Sequence, residues 1–286
     1  MGLGWDEGTL RALTWANQER GTDSLGFFDS SGRMIKCAET PSDALRKENI
    51  SKWLDASCHG SEKLGRDTSW FIAGHTRLAT RGKVNRQNSH PFRYGRIIGS
   101  HNGMIDAPTG YVVDSQHLFD ALHKARGDYN TAWADITGYW AVTWFDDNAF
   151  YVQVHNGDLT LGRKGTIWYY SSSWSHLESC IGIADETITL TEGQTIKFTL
   201  ENGLVVKTDL DKFVSSAPDY WIKKYGCSNT NDYEGSYKRH KGRAKGTWYD
   251  TQDYTTSATT TVKDFDADWR AAWEDYCTES EHAKVD

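Results

Sequence analysis

Apolar runs of strand length alternate with helix-period stretches as far as about residue 213, and the alternation fades beyond it. Trp70-Phe71-Ile72-Ala73 and Arg96-Ile97-Ile98-Gly99 have the apolar character of buried strands, and each empties into a polar segment, His75-Thr76-Arg77 and His101-Asn102-Gly103. Upstream, Thr9–Asn17 places Leu10 and Leu13 on one stripe, which predicts a helix capped by Thr9 and stopped at Gly21. Leu25–Asp29 and Met34–Ala38 predict a hairpin around Asp29-Ser30-Ser31-Gly32. One amphipathic helix is expected over Ser42–Ser57, with Ala44, Leu45, Ile50, Trp53 and Leu54 facing a sheet. A second is expected over Ser115–Ala125, where Leu118, Phe119 and Leu122 share a face and Asp114 stands at the N-cap. Tyr139–Trp144, Ala149–Val154, Ile167–Ser171, Thr187–Leu190 and Gln194–Leu200 then predict short strands of an antiparallel meander, separated by turn residues such as Asn156-Gly157.

The pattern changes near Ser215-Ser216-Ala217-Pro218. Residues 226–263 are rich in Gly, Ser, Thr, Asn and Tyr with almost no aliphatic side chains, so 214–263 is expected to be a largely disordered linker. Phe265, Trp269, Trp273 and Tyr276 recur at three- and four-residue spacing, so 264–279 is expected to be an amphipathic terminal helix whose aromatic stripe needs a partner surface.

Composition narrows the function. Thirteen Trp and fourteen Tyr against three Met call for a core of large flat rings whose N–H and O–H groups find partners at its edge. A net charge of −7 over 286 residues gives no general attraction to nucleic acid or anionic membranes. The basic run Lys238–Lys245 beside Tyr and Trp has the composition of a single-strand contact, but also that of a solvated linker. No apolar run has membrane-spanning length, and five scattered cysteines without a CxxC pair fit a reducing cytosol. His117 and His123 lack the spacing and the Cys neighbours of a zinc site, so no metal or other cofactor is expected.

Candidate chemistry lies at the two strand ends. An Arg is a planar fork matched to a carboxylate, and an Asn amide beside a Gly N–H is a two-donor cradle for a developing oxyanion. Taken alone, Arg77 could equally form a surface ion pair, Asn102-Gly103 could be a hairpin turn, and Asp114 could be only a cap. Taken together, Gly74-His75-Thr76-Arg77-Leu78-Ala79-Thr80-Arg81-Gly82, Asn88-Ser89-His90-Pro91 and His101-Asn102-Gly103-Met104-Ile105 resemble the glutaminase domain of class II glutamine amidotransferases. Arg20-Gly21-Thr22-Asp23-Ser24-Leu25-Gly26 before them and Gly138-Tyr139-Trp140-Ala141-Val142 after them keep the same order, over roughly residues 5–213.

The resemblance implies an N-terminal-nucleophile hydrolase domain over 1–213, an α+β fold built as a four-layer αββα sandwich, with the low-complexity tail and terminal helix following it. It implies that Arg77 takes the α-carboxylate of glutamine or a related amino acid, Asp114 its ammonium, Asn102 and Gly103 the oxyanion, and that Thr80 walls the pocket. Arg81 stands where a His is frequent in the family, and Leu78 where a Trp is. Family chemistry uses a Cys at the first position, whose thiolate attacks the amide while its own α-amine serves as base. Here Met1-Gly2-Leu3-Gly4 stands where Cys-Gly-(Ile/Leu)-x-Gly is expected, and the internal Cys37 and Cys58 lack an α-amine. Two expectations follow: a glutaminase once a Cys precedes Gly2, for instance from an upstream start, or an inactive amino-acid-binding or scaffolding relative. No synthetase domain is legible after 213, so released ammonia would go to solvent or to an acceptor enzyme.

Overall fold

The computed structural model describes residues 6–59, 68–134 and 136–213. The expected linker 214–263 and terminal helix 264–279 lie outside them.

Helix α1 (Glu7–Ala16) starts one turn earlier than its apolar stripe suggests, because the Asp6 carboxylate accepts the N–H groups of Gly8 and Thr9. Thr9 is therefore not the cap; its hydroxyl donates to Asp6. A short 3₁₀ turn, Asn17–Arg20, carries the chain to Gly21. A Cβ there would lie 2.5 Å from the Thr76 carbonyl carbon, so only glycine lets this turn rest against the strand that carries Arg77. The predicted hairpin forms as β1 (Ser24–Asp29) and β2 (Met34–Cys37). The single helix expected over Ser42–Ser57 is two, α2 (Pro41–Leu45) and α3 (Glu48–His59). The break has a cause in packing: Arg11 reaches across from α1 and takes the Leu45 carbonyl at 3.0 Å.

Strand β3 (Ile72–Arg77) includes His75-Thr76-Arg77 and pairs with β1, giving the order β2-β1-β3. Next come β4 (Phe92–Tyr94), the long β5 (Ile97–Ile105), and helices α4 (Asp114–Lys124) and α5 (Tyr129–Ala134). The remaining elements are β6 (Gly138–Phe145), β7 (Phe150–His155), β8 (Thr160–Lys164), β9 (Ile167–Ser171), α6 (Trp174–Ile181), β10 (Glu186–Thr189), β11 (Thr195–Glu201) and β12 (Leu204–Asp209). The strands after residue 138 do not form one meander. Six strands make an antiparallel sheet in the order β12-β11-β7-β6-β5-β4, while β8, β9 and β10 leave it for a separate sheet.

Four layers result. Phe28 and Ala73 from the first small sheet, Phe71 just before β3, and Leu161 and Trp168 from the second small sheet meet Ile98, Phe145, Phe150, Val152 and Phe198 of the large sheet in one apolar layer. The other face of the large sheet packs Trp140, Val142 and Trp144 against Leu118, Phe119 and Leu122 of α4 and Trp133 of α5. On the opposite side, Ala44, Leu45, Ile50 and Leu54 cover Leu25, Phe27 and Ile72, and Leu13 packs with Leu177 and Ile181. This is the expected αββα sandwich. The ring-rich core is also present: Trp133 stacks on Trp140 at 5.6 Å, and the Trp140 indole N–H donates to Gln153. Among the described residues no helix is long and apolar enough to cross a membrane.

Gly26 is the tightest contact between the first sheet and the segment leading into β4. A Cβ on it would sit 2.0 Å from the His90 carbonyl oxygen, a backbone atom that cannot step aside. Gly26→Ala is expected to destabilise the domain by about 3 kcal/mol, read as a lowered urea midpoint at unchanged slope. A loss under about 1 kcal/mol would show that the two segments are not pinned there.

Candidate active site

The site forms where β3 and β5 end beside the start of α4. Arg77 closes β3 with its side chain 7% exposed, and its Nη2 donates to the Arg81 carbonyl at 2.6 Å. Nη1 is buried without a hydrogen-bond partner, an arrangement that a carboxylate would complete. Asp23, from the Arg20–Gly26 motif, fixes the turn after β3: its N–H donates to the Arg77 carbonyl, and its carboxylate accepts the Ala79 N–H at 2.7 Å. Burial disfavours the charged guanidinium, and the negative potential of Asp23 and Asp114 offsets part of that cost.

Asn102 and Gly103 are not a hairpin turn. They lie inside β5, opposite Ala141 and Trp140 of β6. Gly103 has φ 142°, and a Cβ there would lie 2.2 Å from the Tyr139 carbonyl oxygen, so glycine is required where strand and cavity meet. Asp114 is not the N-cap either. Gln116 reaches back to the N–H groups of Val112 and Val113, which makes Val113 the cap position and Asp114 the first helical residue. Its carboxylate is thereby released from capping; it accepts the Ile105 N–H at 3.2 Å at the end of β5 and that of Ser115 at 2.9 Å.

Arg77, Thr80, Asn102, Gly103 and Asp114 all line one cavity of about 180 Å³. Arg20, Thr76, Leu78, Arg81, Met104 and Tyr139 line it too, and His75, His90, His101 and Ser115 complete the described lining. Asp114 is the one carboxylate among these residues, and none of them is a cysteine. Cys37 and Cys58 are elsewhere, and burial raises both thiols, Cys58 to about 11, so both stay protonated and inert at neutral pH.

The reading from sequence gave the three histidines and Ser115 no role. Their signal was present, because each histidine holds a fixed place in one of the motifs, but side-chain contacts between distant segments have no signature in one sequence. Their rings are close, with 4.1 Å between the centres of His75 and His90 and 6.5 Å between His90 and His101. Among the described residues no group of three or more His, Cys, Asp or Glu has the arrangement of a metal site.

Burial first, then the neighbouring His101 and Arg77, pushes His75 down from 6.5 to about 3, and burial likewise holds His90 well below 6.5. With folded values under unfolded ones, the unfolded chain binds more protons in that window. The stability is therefore full above pH 6.5 and lost as pH falls, at about 1.4 kcal/mol per unit for each histidine kept neutral. Urea titrations from about pH 7 to about pH 5 should show this slope, and His75→Gln should reduce it by one histidine's share, leaving that of His90. A flat profile in the unaltered protein would contradict the buried neutral cluster.

The sandwich with this pocket at its strand ends is the fold of N-terminal-nucleophile hydrolases, as found in class II glutamine amidotransferases, and the chain resembles that family. A stretch of 109 residues is 28% identical to glutamine–fructose-6-phosphate aminotransferase (isomerizing) of Buchnera aphidicola, spanning 36% of this chain and 16% of that protein. Glutamine phosphoribosylpyrophosphate amidotransferase from B. subtilis superposes with a TM-score of 0.55 at 14% identity, over 74% of this chain and 48% of that one. A structure described as the allosteric regulatory enzyme of purine biosynthesis superposes at 0.56 and 14% identity, over 74% and 47%. The chain thus spans about half the length of these solved structures. No family model matches the chain.

Proposed function

We propose that the domain binds glutamine and, supplied with an N-terminal thiol, hydrolyses it to glutamate and ammonia. The observation that carries this is the convergence on one cavity of an unpaired buried guanidinium nitrogen, a single carboxylate released from capping, and an Asn-Gly pair within β5. Arg77 Nη1 takes the α-carboxylate and Asp114 the α-ammonium. The side-chain amide then reaches Asn102 and the Gly103 N–H, donors placed where negative charge develops when the carbonyl is attacked. Thr80 walls the pocket. Both names among the similar proteins pair glutamine with a second substrate, and this chain spans about half or less of each. Released ammonia goes to solvent or to an acceptor enzyme in a reducing cytosol. The absence of cysteine among the described lining residues favours a second reading, an amino-acid-binding protein without turnover.

The roles are separable. Asp114→Asn should weaken glutamine about tenfold, while leaving binding of the deaminated analogue glutaramate nearly unchanged, because only the ammonium needs the carboxylate. Equal losses for both ligands in calorimetry would remove Asp114 from the ammonium site.

A further inference from the structure

Beneath the cavity a single hydroxyl joins the motifs. Ser115 Oγ lies 3.0 Å from His90 Nε2 and 3.0 Å from His101 Nδ1, and the three residues are 3%, 5% and 3% exposed. Each belongs to a different segment: the turn before β4, strand β5 and the first turn of α4. Each also adjoins something the pocket needs. His101 immediately precedes Asn102-Gly103, Ser115 immediately follows Asp114, and the His90 ring packs against His75, two residues before Arg77.

The protons can be placed by elimination. His101 Nδ1 faces Ser115, and the Tyr139 backbone is the acceptor beside the rest of the ring, which favours the proton on Nε2 even though no full hydrogen bond forms there. His101 Nδ1 is then an acceptor and takes the Ser115 O–H. The serine oxygen in turn accepts N–H from His90 Nε2, which leaves His90 Nδ1 as a bare lone pair and the His101 Nε2–H beside the Tyr139 backbone, short of a full hydrogen bond. The reverse tautomers would move the buried N–H donor to His90 Nδ1, which has no such backbone acceptor among the described residues, the costlier placement. Ser115 does not itself serve as a nucleophile. Burial lowers both imidazoles, so neither would hold the proton that an attacking serine releases.

We propose that Ser115 is a positioning residue, whose hydroxyl fixes the His101 ring and through it sets the Asn102-Gly103 cradle that receives the side-chain amide of the ligand. This rests on the reading of the cavity as a glutamine site. A merely structural serine would, on removal, weaken every ligand alike. A positioning serine acts on the amide end, so its loss separates glutamine from norvaline, which keeps the ammonium and carboxylate but has no amide.

Calorimetry on the full chain tests this with Ser115→Val, which loses the hydroxyl, and Ser115→Thr, which has the shape of valine and keeps the hydroxyl. Ser115→Val should bind glutamine about tenfold more weakly and norvaline within about twofold of the unaltered protein, and Ser115→Thr should recover most of the loss. Equal losses for both ligands, or no loss for glutamine, would overturn the proposal while leaving the glutamine site standing. Failure of the unaltered protein to bind glutamine would remove that site and this inference together. Should the valine variant not fold, long-range ¹H–¹⁵N spectra of the unaltered protein decide. His101 is expected protonated at Nε2 only and shifted by saturating glutamine; a protonated Nδ1 or an unmoved ring would overturn the proposal.

Discussion

A chain whose first residue is Cys, followed directly by Gly2, is expected to release glutamate from glutamine at least about a thousandfold faster than the sequence beginning Met1-Gly2. The expectation follows from what the cavity contains and what it lacks. On the proposed reading Arg77, Asp114, Asn102 and Gly103 orient the ligand and stabilise a tetrahedral oxyanion, but the described lining includes no thiol. Acyl transfer deprived of its nucleophile keeps only the small residual rate that binding and the oxyanion donors provide. The new thiolate would attack the amide carbon while its own α-amine takes the proton and passes it to departing ammonia. Water would then hydrolyse the thioester to glutamate. A thiol-reactive glutamine analogue should block the variant and label that cysteine. A Cys-first chain that binds glutamine yet makes no more glutamate than the unaltered one would sink the glutaminase reading and leave the binding protein.

Replacing Arg77 with Ala should raise the dissociation constant for glutamine about a hundredfold, close to 3 kcal/mol, because a buried carboxylate would lose both fork and charge. Arg77→Lys should fall between, since an ammonium keeps the charge but cannot present two parallel donors. The side chain also holds the Arg81 carbonyl, so a thermal melt must accompany the titration to separate lost binding from a loosened loop. An Ala variant that folds and binds glutamine within about threefold of the unaltered protein would place the carboxylate elsewhere.

The motif residues were legible because chemistry-bearing side chains were crowded at two apolar runs, and the sandwich places those strand ends together. The hairpin around Asp29-Ser30-Ser31-Gly32 was legible for a local reason, as turn residues between apolar runs seldom do anything else. Other features were settled by distant contacts. Asp114 has the residue type of a cap, and only Gln116 reaching back frees it. The split between α2 and α3 depends on Arg11, more than thirty positions away in sequence. Strand β8 went unread because Gly162 interrupts its alternation. Its place is explained in three dimensions, where a Cβ would press on Ile181 and Leu177 of α6. Edge strand β12 carries mostly exposed or half-exposed side chains and so has little pattern to read.

The account stands on the claim that this cavity accepts the zwitterionic end and the amide of glutamine, and calorimetric titration of the unaltered protein with L-glutamine at neutral pH addresses it most directly. The prediction is saturable binding of one ligand per chain, abolished or greatly weakened in Arg77→Ala. No heat, and no shift in melting temperature, up to about 10 mM glutamine with a folded protein would contradict it.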